Sequence, residues 1–178
     1  MACFTDYLTV IVTRKIAIVA VVLQKDEMLT ASVDIEASPQ RVHAIVSDIS
    51  LIPQWSPEVI RTEKLTASTY QAWNRRRLGR WRTTARIVAA EEGHFSFVVE
   101  ALGGDWTQWT FLVKPGDTDG VTRLTQQFRM CVAMPTTVLL FERLALFVFD
   151  RRSDLRANMA TSVHRIKAIA ESNRKESQ

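Results

Sequence analysis

Acid–base or nucleophilic chemistry needs a titratable side chain held within reach of a substrate, so histidines, carboxylates and cysteines are considered first. His43 lies off the apolar face formed by Val42, Ile45, Val46 and Ile49, which places it in solvent. His94 follows the turn glycine Gly93, and His164 adjoins Val163 near the C-terminus, within reach of a cavity rim. A lone histidine beside an apolar stripe is more often structural or solvated than catalytic. Glu100 adjoins Val98 and Val99; facing inward it would have a raised pKa, but alternation with Phe97 and Val99 turns it outward. Asp105 and Gln108 are polar candidates for a pocket mouth. Cys3 and Cys131 form no disulfide framework and have no partner at metal-ligand spacing, and Cys131 reads as a small buried hydrophobe. No phosphate-binding loop or dinucleotide fingerprint is visible. The residues nominate no catalytic group, no metal ligand and no cofactor, and they lean against an enzyme.

Charge is concentrated in one place. Arg75, Arg76, Arg77, Arg80, Arg82 and Arg86 fall within a short window, although the chain carries a net charge of only +4. Arg80, Arg82 and Arg86 share one strand face, most simply the solvated outer one. No aromatic residue interleaves them there, as single-stranded nucleic acid would require, so no nucleic-acid partner is expected. A further option turns one arginine inward, toward a ligand carboxylate.

The aromatic residues are more informative. Five tryptophans and eight phenylalanines suit an apolar pocket, where rigid rings line the wall and indole N–H groups orient a ligand. A dry packed core would use the same residues. The candidate ligand-binding set from the sheet region is Trp55, Trp73, Trp81, Phe97, Trp109, Phe111 and Phe128. From the helical C-terminus it is Phe141, Leu155 and Met159. A one-residue register slip would reverse any of the strand assignments.

These side chains need elements to position them. Leu29 to Ala37 alternates as a half-buried strand. Ser38-Pro39 then caps and opens a helix running to about Asp48, and Ser50 to Pro57 is a turn-rich or helical connector. Strands are predicted at 59–66, 69–77, 80–90, 106–114 and 121–130, and Phe95, Phe97 and Val99 start a further one between 80–90 and 106–114, with Gly79 as a hairpin position and 115–120 as the strongest turn. Thr136 to Asn173 has no Gly or Pro. Its half from Asp150 is amphipathic, with Leu155, Met159, Val163, Ile166 and Ile169/Ala170 on one stripe. The stretch 138–149 is apolar nearly all round, interrupted by Glu142 and Arg143, and reads as a lid or homodimer contact; a bend is expected at 150–154. Neither this stretch nor the apolar run 16–23 is long enough to span a bilayer. Residues 1–27 read as an N-terminal extension outside the core, 28–173 as one domain and 174–178 as a disordered tail. Short strands joined by tight turns, with helices set apart, make an α+β fold with an antiparallel sheet. The cysteine usage suits a reduced, cytoplasmic protein.

Several blocks of this order carry a family resemblance: Val33 to Val42, Ile45 to Asp48, Pro53 to Pro57, Trp81 to Thr84, Trp109 to Phe111, Gly120 to Thr125, and Asn158 to Lys167. Together they resemble the START-like helix-grip superfamily, also called SRPBCC, in its polyketide cyclase/dehydrase-like branch. The resemblance covers about Leu29 to Ser172 and implies a seven-stranded antiparallel sheet wrapped around the C-terminal helix, enclosing an apolar cavity. It implies binding of a hydrophobic small molecule such as a lipid or polyketide, which is the reading adopted. The alternatives are a polyketide cyclase/dehydrase-type enzyme and an antitoxin-like protein-interaction module.

Overall fold

A computed structural model describes residues 23–101 and 103–172, apart from the side chain of Phe141. The remaining residues include nearly all of the expected N-terminal extension and the C-terminal tail. One seven-stranded sheet organises the chain, in the order β1-β7-β6-β5-β4-β3-β2. The strands are β1 (Met28–Ile35), β2 (Val59–Lys64), β3 (Thr69–Arg76), β4 (Gly79–Glu91), β5 (His94–Ala101), β6 (Gly104–Pro115) and β7 (Thr122–Met130). β2 to β7 form an antiparallel meander, and β1 crosses to pair with β7. Helix α1 (Pro39–Ser47), a 3-10 turn (Ile49–Leu51) and the one-turn helix α2 (Ile52–Trp55) follow β1. Helices α3 (Thr136–Leu144) and α4 (Arg151–Ser172) close the chain. This is the α+β helix-grip architecture. No helix among the described residues is long and apolar enough to cross a membrane.

Period-two patterning sets which face of each strand is buried. On the inner face of β7 lie Thr122, Leu124, Gln126, Phe128 and Met130, opposite Val113, Phe111 and Trp109 of β6. The outer face carries ion pairs, such as Arg123 Nε to Asp34 Oδ1 at 2.8 Å, and Arg86 with Glu100 and Asp105. Glu100 therefore faces outward, as alternation requires.

Helix α4 lays its apolar stripe on this concave surface. Leu155, Met159, Val163, Ile166 and Ala170 are buried, joined by Ser162. Asp150 caps the first turn through Ser153 N at 3.1 Å. The far end is held by α1, where Ser38 accepts from Arg41 N and Pro39 opens the helix. Arg41 Nε then donates to Ala170 O at 2.6 Å, and Lys167 Nζ to Asp34 O at 2.7 Å. A cation thus serves the exposed carbonyls at the negative end of the helix dipole.

Three expectations change. The break in the C-terminal stretch falls at residues 145–150, before the acidic and basic cluster, and Phe147 there has φ +55°. Gly79 does not make the β3–β4 turn: Arg77 takes the positive φ (+49°). Gly79 instead opens β4 beneath Leu146, whose side chain occupies the space a Cβ would need. Residues 23–27 pack on the domain, with Leu23 buried beside Leu29, Phe128 and Met130, and Glu27 bound to Arg152 Nη2 at 2.9 Å. That pairing with Arg152 holds the Glu27 carboxyl below its usual range.

Candidate functional site

Two adjoining cavities lie between the sheet and the helices. The inner one, about 110 Å³, sits beneath α4. Trp55, Phe97, Trp109, Leu155 and Met159 line it, together with Tyr70, Ala72, Ala85 and Val99. The outer one, about 340 Å³, lies under α3 and takes Trp81, Trp106, Trp109 and Phe128 from the sheet and Val138 and Leu146 from above. Trp109 and Val99 border both. The walls are mainly hydrocarbon and aromatic ring. Phe95 and Phe111 pack behind the wall residue Phe97, and Trp55 meets Phe111 edge-on at 5.5 Å.

Most of the residues nominated from sequence meet at these walls. Trp55, Phe97, Trp109, Leu155 and Met159 border the inner space, and Trp81, Trp109 and Phe128 the outer. Phe111 is fully buried in the supporting core and borders neither. Trp73 is a correction. Alternation with the buried Tyr70, Ala72 and Asn74 turns it to the outer face, where the Arg61 guanidinium stacks 4.4 Å from its ring. An aromatic residue therefore does stand among the surface arginines, opposite Arg82 and two positions from Arg75. The side chain of Phe141 lies outside the described set. His43 is half-buried with its Nδ1 enclosed, a departure from the exposed position expected, while His164 is exposed. None of the three histidines borders either cavity. Asp105 and Gln108 turn to the outer face, where Gln108 Nε2 donates to Ser96 Oγ at 3.2 Å. Cys131 is half-buried.

A charged cluster between the two cavities was not foreseen. Glu58 and Arg151 border both spaces, and Glu142 of α3 borders the outer one. Arg76, at the inner-facing end of β3, donates to Glu58 Oε1 at 2.9 Å and to both carboxylate oxygens of Asp154. Arg151 approaches Glu142 Oε1 at 3.2 Å and Asp154 Oδ2 at 3.1 Å, and Asn158 Nδ2 donates to Glu58 Oε1 at 2.9 Å. One arginine of the run does point inward, but its partners are the protein's own carboxylates. Burial pushes the Glu142 carboxyl up, and the nearby Arg151 guanidinium offsets only part of that. Burial works against the charge of Arg76, yet Glu58 and Asp154 together outweigh it and raise its proton affinity. Burial also pushes the Tyr70 hydroxyl far up, so it stays protonated.

Two polar atoms of residues lining the inner cavity are enclosed without a hydrogen-bond partner among the described residues: Trp55 Nε1 and Gln126 Oε1. Each such orphan costs about 1–3 kcal/mol. Gln126 was legible in principle, since it keeps phase with Leu124, Phe128 and Met130. Glu142 had a signal too, as the acid in an otherwise apolar helix. Arg76 stood in the arginine run from which one inward-turned member was an option, but Glu58 had no signal, because their pairing joins distant chain segments.

A curved antiparallel sheet gripping a helix over an apolar, partly charged cavity defines a START-like, SRPBCC-type protein. The chain belongs to the polyketide cyclase / dehydrase and lipid transport family, whose model matches residues 28–171. Comparison with curated proteins gives no match. Solved structures with this fold include a conserved protein from Geobacillus kaustophilus, at 12% identity and TM-score 0.66, covering 83% of this chain and 97% of that one. A START superfamily protein from Mycobacterium smegmatis is similar at 18% identity and TM-score 0.60, covering 82% and 97%. A Polyketide_cyc-like protein from Corynebacterium glutamicum matches at 19% identity and TM-score 0.56, covering 86% and 97%. At these identities the likeness is one of fold.

Proposed function

We propose that this protein binds a hydrophobic small molecule, a lipid, polyketide or similar compound, between its sheet and α4. The apolar cavity under α4 carries this reading. Protein interiors normally close to crystal-like density, whereas here Trp55, Phe97, Trp109, Leu155 and Met159 surround a void. Burying apolar ligand surface there is worth roughly 25 cal/mol per Å² before association costs are subtracted. The family's description, which names both catalysis and lipid transport, is compatible with it. Native mass spectrometry of protein purified from its own host tests the reading. A co-purifying apolar compound, displaced by Met159→Trp, is the expected result. A bound polypeptide over an empty cavity would overturn it in favour of a protein-interaction role.

One observation favours a catalytic second reading. Glu142 borders the outer cavity, where burial raises its pKa above the ordinary carboxylate value, and a carboxyl beside a substrate can move a proton. A cyclase/dehydrase would then fold a poly-β-ketone in the cavity. Turnover of such a substrate, lost in Glu142→Gln with binding retained, would establish it; equal product formation with and without protein would remove it.

The apolar stretch 138–149 keeps Leu140, Leu144, Phe147 and Phe149 exposed. We propose that a second copy of this chain covers them.

A further inference from the structure

We propose that the inner cavity recognises a single un-ionised hydroxyl group on an otherwise apolar ligand, an inference that rests on the binding reading above. Two residues of its wall carry an enclosed polar atom with no hydrogen-bond partner among the described residues: the indole N–H of Trp55 and the amide oxygen of Gln126. Tyr70 lines the same wall. Trp55 and Gln126 are 3% and 2% exposed, so bulk water does not satisfy them. An apolar side chain at position 126 would suit the inner face of β7 better, where Leu124, Phe128 and Met130 flank it.

The set is one of opposites: an indole N–H can only donate and an amide oxygen can only accept. A carboxylate offers acceptors alone and would leave the Gln126 oxygen without a donor. An ammonium offers donors alone and would meet the Trp55 N–H. A hydroxyl oxygen accepts from Trp55 while its O–H donates to Gln126, and Tyr70 can serve in either sense. Charge points the same way. Glu58 and Arg151 are the charged residues bordering this cavity, and both are engaged in the cluster with Arg76, Asp154 and Glu142. Among the described residues no free cation is left there for an anionic head group.

Equilibrium dialysis of the full chain at neutral pH against 2-naphthol, naphthalene and 2-naphthoate separates these cases. The expected order is 2-naphthol at least about tenfold tighter than naphthalene, with 2-naphthoate weakest. Trp55→Phe and Gln126→Leu should each lower the ratio of 2-naphthol to naphthalene affinity, measured on the same variant, at least about fivefold. Equal binding of 2-naphthol and naphthalene, tightest binding of 2-naphthoate, or a preference that survives both substitutions overturns the assignment while leaving apolar binding intact. Binding of none of the three overturns apolar binding as well. Should either variant fail to fold by circular dichroism, the order of the three probes on the unaltered protein still decides.

Discussion

Single residues set the character of the cavity wall, and Glu142 shows how. Its carboxyl is buried under α3 and its folded pKa lies above the ordinary value of 4.5. A carboxylate raised in this way favours the fold when protonated, so its stabilising contribution is complete below pH 4.5 and is lost as pH rises through the folded value. Glu27, Asp34 and Asp150 have lowered values and act in the opposite sense, losing their contribution as pH falls. Glu142→Gln isolates the first effect. Thermal melts from pH 4 to pH 8 should show the unaltered protein losing ground to this variant as pH rises, and a constant difference would contradict the assignment. Arg76 is the opposite case, since it satisfies Glu58 and Asp154 together. Arg76→Met leaves both carboxylates under-paired and is expected to cost about 3 kcal/mol in urea unfolding. A loss below about 1 kcal/mol would mean that water replaces the guanidinium.

At the scale of elements, two docking events decide the geometry. The first ties the end of α4 to α1, where Arg41 serves Ala170 O and Ile169 O. Arg41→Ala should cost about 1.5–3 kcal/mol, as hydrogen bonds from a charged donor do, read from denaturant midpoints at constant m. The second seats residues 145–150 on the β3–β4 hairpin. Leu146 fills the space over Gly79, and Arg77 stacks on Phe147 with its guanidinium carbon 5.6 Å from the ring centre. Gly79→Ala puts a methyl group where Leu146 sits. Because a leucine end can swing aside, the expected effect is local: faster amide exchange across 136–150, with protection of β5 to β7 unchanged. Global loss of protection would show that this seat is part of the core instead of a latch over the outer cavity.

For the whole molecule, the open question is what meets the apolar residues left outside. Leu140, Leu144 and Phe149 lie between 57% and 67% exposed. Sedimentation across a concentration series should show reversible dimerisation, abolished by Leu140→Ser with Phe149→Ser and with no change in the melting transition. One monomeric species at every concentration would rule out the proposed pairing of copies. If dimerisation occurs, the contact lies over α3, so ligand entry and association would compete. Ligand-loaded protein should then dimerise with altered affinity.

The amino-acid sequence by itself determined the succession of strands and helices, because period-two and 3.6-residue patterning, Ser38-Pro39 and the turn at 115–120 act over short distances. It determined the buried stripe of α4 and the inward set Trp109, Phe111 and Phe128 for the same reason. Tertiary structure alone decided that Trp73 faces out, since β3 buries the alternate set that includes Tyr70 and Ala72. It alone separated Phe111, packed solidly against Trp55, from Trp109, which borders open space, although the two share one strand face. It alone assembled Glu58, Arg76, Glu142, Arg151 and Asp154, residues drawn from four separate stretches of chain. Patterning records which side of an element is covered; which covered groups touch one another, and which touch nothing, is settled only when the helix comes down on the sheet.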